Sequence, residues 1–143
     1  PISAVLFREE LGSWPPGAHG TTFGGQAVAA AAAHATLDLL EGGLQENAAR
    51  LGEFLLAELR ALKRRFPFLG DVRGRGLMIG LDFGDPDHPQ PDLRDKAVRL
   101  AFEKGLLLLP AGPSALRIAP PLVLTQEEAA LGLEILEEVF RAL

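Results

Sequence analysis

The stretch Gly17–Ala33 combines residue types that can hold an anion at the start of a helix. It reads GAHGTTFGGQAVAAAAA, with Thr21 and Thr22 before a glycine pair and an alanine-rich run after it. The first turn of a helix leaves backbone N–H groups unpaired at its positive dipole end. Glycines let a ligand approach the backbone, and threonine hydroxyls add donors, so the pattern suits a phosphate or carboxylate. The same residues also fit ordinary N-capping of a closely packed helix, and both interpretations stay open.

Arg117 is the second candidate, because it interrupts a short apolar strand in SALRIAPP. Side chains alternate along a strand, so Arg117 should face away from Leu116 and Ile118. One interpretation is a solvent-facing arginine on an edge strand. The other is a guanidinium that clamps a carboxylate with two hydrogen bonds. The residue types do not decide between them.

The remaining motifs favour structure over chemistry. Gly74, Gly76 and Gly80 miss the G-x-G-x-x-G spacing of dinucleotide sites and lead into a strand, which favours a glycine-eased strand entry or a bulge. Three scattered histidines and no cysteine give no expectation of a metal site. The chain also has no G-x-S-x-G, no cysteine nucleophile and no Walker loop.

Composition limits the classes of partner that the chain is expected to bind. The chain has 143 residues, 48% of them hydrophobic, and a net charge of −5, which speaks against a phosphate-neutralising nucleic-acid surface. No run of about twenty apolar residues is present, so we expect no membrane span. No signal peptide is visible, and the absence of cysteine fits a cytoplasmic protein.

Hydrophobic periodicity and turn residues predict one small α+β layer preceded by the tail of another domain. The predicted elements are a strand over 1–7, helices over 26–41 and 44–65, a strand over 72–83, a helix over 93–105, strands over 106–112 and 115–121, and a helix from 126 with Thr125 and Glu128 as its capping box. Gly42 and Gly43 should stop the first helix. The first strand has no partner in the sequence, and Met78 is the sole methionine, so we expect a fragment of a longer protein.

In order, the segments PISAVLF, HGTTFGGQAVAAAAAHATLDLL, VRGRGLMIGLDF, KGLLLLPAG and LRIAPPL resemble the C-terminal part of a class-III pyridoxal-phosphate aminotransferase. This group contains the 4-aminobutyrate, acetylornithine and ornithine aminotransferases. The resemblance covers essentially the whole chain. It implies an α/β fold of the type I pyridoxal-phosphate transferases. Residues 1–43 would be the end of the large cofactor domain, and residues 44–143 the small α+β domain with helices packed on a short sheet.

The resemblance also implies roles for three residues. Thr22, with Thr21 beside it, matches the threonine that contacts the cofactor phosphate of the partner subunit, which implies a homodimer with shared active sites. Arg117 matches the small-domain arginine that binds a substrate carboxylate, and a partly buried strand setting would preorganise it. One departure is Gln26-Ala27, where the family usually has Asn-Pro. We expect this change to weaken the definition of the helix start and not the phosphate contact.

The function implied is transamination with pyridoxal 5'-phosphate, from an ω-amino acid such as 4-aminobutyrate to a 2-oxo acid such as 2-oxoglutarate. The family's Schiff-base lysine precedes the strand matching PISAVLF, whereas the first lysine here is Lys63. We therefore assign no catalytic residue within the chain and expect it to be inactive without the missing N-terminal part. Two alternatives stay open: a self-standing α+β ligand-binding or regulatory module, and a related racemase, decarboxylase or aminomutase.

Overall fold

The computed structural model describes residues 2–143, and the chain divides into two units, Pro1–Gly43 and Leu44–Leu143. In the first unit, helix α1 spans Ala27–Leu39 and none of its residues is buried. It is followed by a wider helical turn, Leu40–Leu44, in which Gly43 has φ +122°. That left-handed conformation favours glycine and stops the helix, as the sequence predicts.

The predicted strand over 1–7 is wrong for the described residues. Residues 2–7 join no β-ladder, and Pro1 lies outside the described part of the chain. The segment is apolar enough for a strand, but a strand also needs a hydrogen-bonded neighbour. The described residues provide none.

The second unit contains three helices and four strands, one strand more than the sequence predicts. They are α2 (Gln45–Arg65), β1 (Leu69–Arg75), β2 (Met78–Phe83), α3 (Pro91–Glu103), β3 (Leu109–Ala111), β4 (Ala115–Ile118) and α4 (Gln126–Arg141). Helix α2 follows its leucine periodicity, and Leu51, Leu55 and Leu59 are buried. The capping box predicted for α4 is confirmed.

The single strand predicted over 72–83 is a β-hairpin. Gly76 has φ +53° in the turn between β1 and β2, which pair antiparallel. Gly74 is required by close pairing, because a Cβ there would collide with the carbonyl oxygen of Met78. The sequence favours a strand entry or a bulge for these glycines, whereas strand pairing shows that Gly76 belongs to a two-residue turn.

The sheet has the order β1-β2-β4-β3, and every neighbouring pair is antiparallel. Val72, Leu81 and Leu116 form one buried row across it. The helices cover this face and close a core with a cluster of phenylalanine rings whose centroids lie 5.6 to 6.0 Å apart. The opposite face, which we call the open face, carries polar and exposed side chains. Within residues 2–143, no helix has the length and apolar character needed to span a membrane.

Candidate functional site

Thr21 and Thr22 lie in the turn that leads into α1, and both are exposed. The Gln26 N–H donates to the Phe23 carbonyl over 3.3 Å and closes this turn. Gly25 has φ +71°, which L side chains rarely adopt. The threonine hydroxyls therefore precede a glycine turn that is held close to the helix start.

The start of α1 is not capped by a side chain. Gln26 occupies the N-cap position, and its side chain makes no capping hydrogen bond. The first turn contains no acidic residue. The interpretation of this stretch as ordinary N-capping is therefore wrong for the structure, because neither threonine takes the N-cap position. Uncapped N–H groups at a positive dipole end leave donors for an external anion.

Arg117 lies on β4, which is an interior strand between β2 and β3. The edge-strand part of that interpretation is therefore wrong, since strand order depends on pairings that alternation does not reveal, whereas its solvent-facing part is confirmed. Arg117 is also exposed and not partly buried, because its side chain lies on the open face. Its cross-strand neighbours are Gly80 on β2 and Leu109 on β3. Among the hydrogen bonds and ion pairs of residues 2–143, none involves its guanidinium.

Helix α3 holds the start of β4 through a buried arginine that sequence reasoning missed. Arg94 is 7% exposed, and its Nη1 donates to the Ala115 carbonyl over 3.1 Å. Its Nε donates to Asp95 over 2.6 Å, so the buried charge is partly compensated. This anchor lies two residues before Arg117 and fixes the strand that carries it.

A second group missed from the sequence is an ion pair on the open face. Arg73 on β1 donates from Nη1 and Nη2 to the Asp82 carboxylate and from Nη1 to Asp71 over 3.1 Å. These hydrogen bonds, that to Asp82 first, raise the pKa of Arg73 above its ordinary value. Recognising the hairpin would have revealed the pair, because alternation in β1 and β2 then sets these three side chains on one face.

A cavity of about 420 Å³ lies beside this ion pair. Its lining includes Arg73, Asp82, Ser114 and Ala115 and does not include Arg117. The described residues contain no cluster of three or more His, Cys, Asp or Glu side chains that could hold a metal ion. The candidate residues thus form two separate arrangements: the Thr21–Thr22 turn in the first unit, and the Arg117 face in the second.

Comparison with known proteins gives consistent matches over the chain. The family model described as aminotransferase class-III matches residues 1–140. An alanine/serine racemase from Pyrococcus horikoshii is 40% identical over 144 residues, which cover 98% of this chain and 30% of that protein. An acetylornithine aminotransferase from Bacillus subtilis is 41% identical over 132 residues, which cover 91% of this chain and 32% of that protein.

A solved structure gives the same result for the fold. The amine transaminase from an uncultivated Pseudomonas species, in its PLP-bound form, superposes with a TM-score of 0.78 and 39% identity. The superposition covers 87% of this chain and 30% of that one. The chain therefore spans about a third of the length of the proteins it matches.

Proposed function

Because the chain belongs to the class-III aminotransferase family, we propose that it is part of a transaminase that moves an amino group from an ω-amino acid to a 2-oxo acid. We take 4-aminobutyrate as the representative donor and 2-oxoglutarate as the acceptor. The observation that carries the proposal is the match of the class-III model to residues 1–140. The uncompensated guanidinium of Arg117 supports substrates that carry a carboxylate.

Pyridoxal 5'-phosphate is the cofactor of this family and is bound in the amine transaminase that the chain resembles. Its phosphate fits the turn before α1, where N–H donors are uncapped and the first turn has no acidic residue. We infer that Thr22 donates a hydrogen bond to that phosphate, with Thr21 beside it, and that the phosphate belongs to the cofactor of the partner subunit. When bound, the cofactor supplies an electron sink for the carbon that bears the amino group.

The roles of this chain's own residues in the reaction are binding and orientation. Arg117 would hold a substrate carboxylate with paired N–H donors and so orient the amino group at the opposite end of the substrate. The three lysines of the chain, Lys63, Lys96 and Lys104, all lie on or directly after helices of the second unit. None is assigned a catalytic role, and we expect the 143-residue chain by itself to have no transaminase activity.

A racemase is the second candidate, because the Pyrococcus horikoshii racemase matches almost the whole chain. A racemase returns the same amino acid with inverted configuration and transfers no amino group to an acceptor. The homodimer and the cytoplasmic location stay predictions under either function.

The test is an assay of the complete gene product that includes this chain, loaded with pyridoxal 5'-phosphate. We expect glutamate to form from 2-oxoglutarate with 4-aminobutyrate, N-acetylornithine or ornithine as donor. Chiral chromatography of alanine and serine incubated with the enzyme measures racemisation in parallel. Inversion of alanine or serine without glutamate formation would replace the transaminase proposal with the racemase. If the enzyme catalyses neither reaction, both proposed functions are overturned.

The cofactor assignment predicts that Thr22→Ala weakens binding of pyridoxal 5'-phosphate. Loss of one hydrogen bond to a charged phosphate should raise the dissociation constant about tenfold. Thr36→Ala is the matched control, because Thr36 is an exposed threonine further along α1 whose hydroxyl donates to the Ala32 carbonyl. Fluorescence titration of the apoenzyme measures both constants. Equal weakening in the two variants would contradict the role of Thr22.

A further inference from the structure

The backbone conformation at Gly80 does not require a glycine. It lies in the middle of β2, in a regular part of the β1–β2 register, and it is not among the glycines with positive φ. A Cβ built on it would be 3.9 Å from Arg73 Cζ and 4.0 Å from Arg73 Nη2, which is ordinary contact. A glycine inside a strand weakens the strand and often marks a place where a ligand approaches closely.

The neighbours of Gly80 indicate what could approach it. Arg73, Gly80, Arg117 and Leu109 pair in one row across all four strands. Two strand spacings separate the Cα atoms of Arg73 and Arg117 by about 10 Å. The intervening residue has no side chain. The row therefore presents two guanidiniums on one face, and Gly80 contributes no side chain between them, so that the Arg73 guanidinium bounds the space left at Gly80, which we call the gap.

The two arginines differ in how their charge is compensated. Arg73 donates to both Asp82 and Asp71, so this end of the row carries two carboxylates against one guanidinium. Arg117 has no such partner among residues 2–143. An incoming carboxylate is therefore attracted to Arg117 and repelled from the Asp71–Asp82 side. The gap accepts one carboxylate and not two.

We propose that Gly80 is a specificity-determining residue, whose missing side chain leaves the gap through which a substrate carboxylate reaches Arg117. The inference rests on the proposed function and refines its substrate class. That class is amino and 2-oxo acids with one carboxylate at this end. Arg73, fixed by Asp82, forms the wall of the gap.

The test compares Gly80→Ala and Gly80→Val with the wild type in the complete, cofactor-loaded enzyme. Because Gly80 does not have positive φ, either side chain can be built without backbone strain, and valine favours a strand. We expect an unchanged or higher melting temperature. The dissociation constant of glutarate, a carboxylate that cannot react, should rise about tenfold in Gly80→Val and less in Gly80→Ala as the clamp is obstructed. Calorimetry measures it directly.

Met78→Val is the matched control. Met78 lies on the same strand and the same face, one row away, and is 60% exposed. Its glutarate affinity should equal that of the wild type. Cofactor affinity should also be unchanged in all three variants, which separates the gap from the phosphate turn.

The outcomes separate this inference from the proposed function. If Gly80→Val binds glutarate as tightly as the wild type while Arg117→Ala loses it, the gap is overturned and the carboxylate clamp stands. If Arg117→Ala also binds glutarate as tightly as the wild type, both the gap and the carboxylate clamp are overturned. If glutarate binding follows the expected order in an enzyme without transaminase activity, the gap stands and the proposed function fails. If Gly80→Val melts below the wild type, the glutarate affinity of Gly80→Ala is compared with that of the wild type instead, and wild-type affinity overturns the gap.

Discussion

Among the arginines of the open face, Arg73 and Arg117 have opposite electrostatic roles. Arg73 is held by two carboxylates, which raise its pKa and fix its guanidinium in place. Arg117 is exposed on an interior strand whose start is anchored by buried Arg94. A fixed strand with a free guanidinium is the arrangement that a carboxylate clamp needs, because little backbone entropy is lost on binding.

We predict at the residue scale that Arg117→Lys raises KM for carboxylate substrates about tenfold, because lysine offers no bidentate fork. Arg117→Ala should raise KM further. The side chain is exposed, so the melting temperature should not change. Steady-state kinetics of the complete enzyme with 2-oxoglutarate measure the effect.

Arg75→Lys is the control for Arg117, since Arg75 is an exposed arginine on β1. It should behave as the wild type. An Arg117→Lys variant with wild-type KM would exclude the bidentate contact. A parallel rise in the control would show a general effect of replacing a guanidinium with an ammonium on this face.

Helix α4 shows how local chemistry supports the core at the element scale. Thr125 Oγ1 accepts from the Glu128 N–H over 3.2 Å, and Glu128 Oε2 accepts from the Thr125 N–H over 2.9 Å. Near its other end, Val139 and Phe140 are buried among the core residues. The box defines where the helix begins and thus which residues its periodicity turns toward the sheet.

Thr125→Ala should therefore lower the free energy of unfolding by about 1 kcal/mol, because one N–H loses its acceptor. Thr125→Ser keeps the hydroxyl and should retain most of the stability. Urea denaturation followed by circular dichroism compares the two variants with the wild type. Equal losses in alanine and serine variants would assign the effect to the threonine methyl group and not to the cap.

At the scale of the whole molecule, stability is concentrated in the second unit. Most of its buried residues form one hydrophobic cluster, whereas α1 in the first unit buries none of its residues. Ion pairs on the surface tie the helices of the second unit together. Arg65 donates to Glu137 over 2.6 Å between α2 and α4, and Lys104 donates to Glu138 over 2.7 Å.

These pairs give stability a dependence on pH in the acidic range. The hydrogen bond from Arg65 chiefly lowers the pKa of Glu137, and that from Lys104 chiefly lowers the pKa of Glu138. A carboxyl whose pKa is lower in the folded state stabilises the fold fully above its ordinary pKa of 4.5. The contribution is lost as pH falls through the lower folded-state value. It should be small, since these side chains are partly or largely exposed.

We predict that Glu137→Gln melts below the wild type at about pH 6 and that the difference shrinks as the pH falls below 4.5. Melting curves at several pH values, followed by circular dichroism, measure it. Glu53→Gln, on α2, is the control, because none of the salt bridges within residues 2–143 involves Glu53. A difference for Glu137→Gln that stays constant with pH would refute the linkage.

The sequence by itself determined the features that depend on neighbours in the chain. Leucine spacing predicted α2, Thr125 and Glu128 predicted the capping box, and Gly43 predicted the helix stop. The ordered motifs indicated the class-III family, the α/β fold and the cofactor, which the comparisons confirm. The roles of Thr22 and Arg117 stay predictions, because they concern ligands.

Only the tertiary structure decided which strands pair. It converted one predicted strand into the β1–β2 hairpin, set β4 in the interior of the sheet, and aligned Arg73, Gly80 and Arg117 in one row. The physical reason is that a strand's partners are chosen by hydrogen bonds and buried faces distant in sequence, whereas helix caps and periodicity are local. The gap over Gly80 exists only in the paired sheet, and no spacing along the chain reveals it.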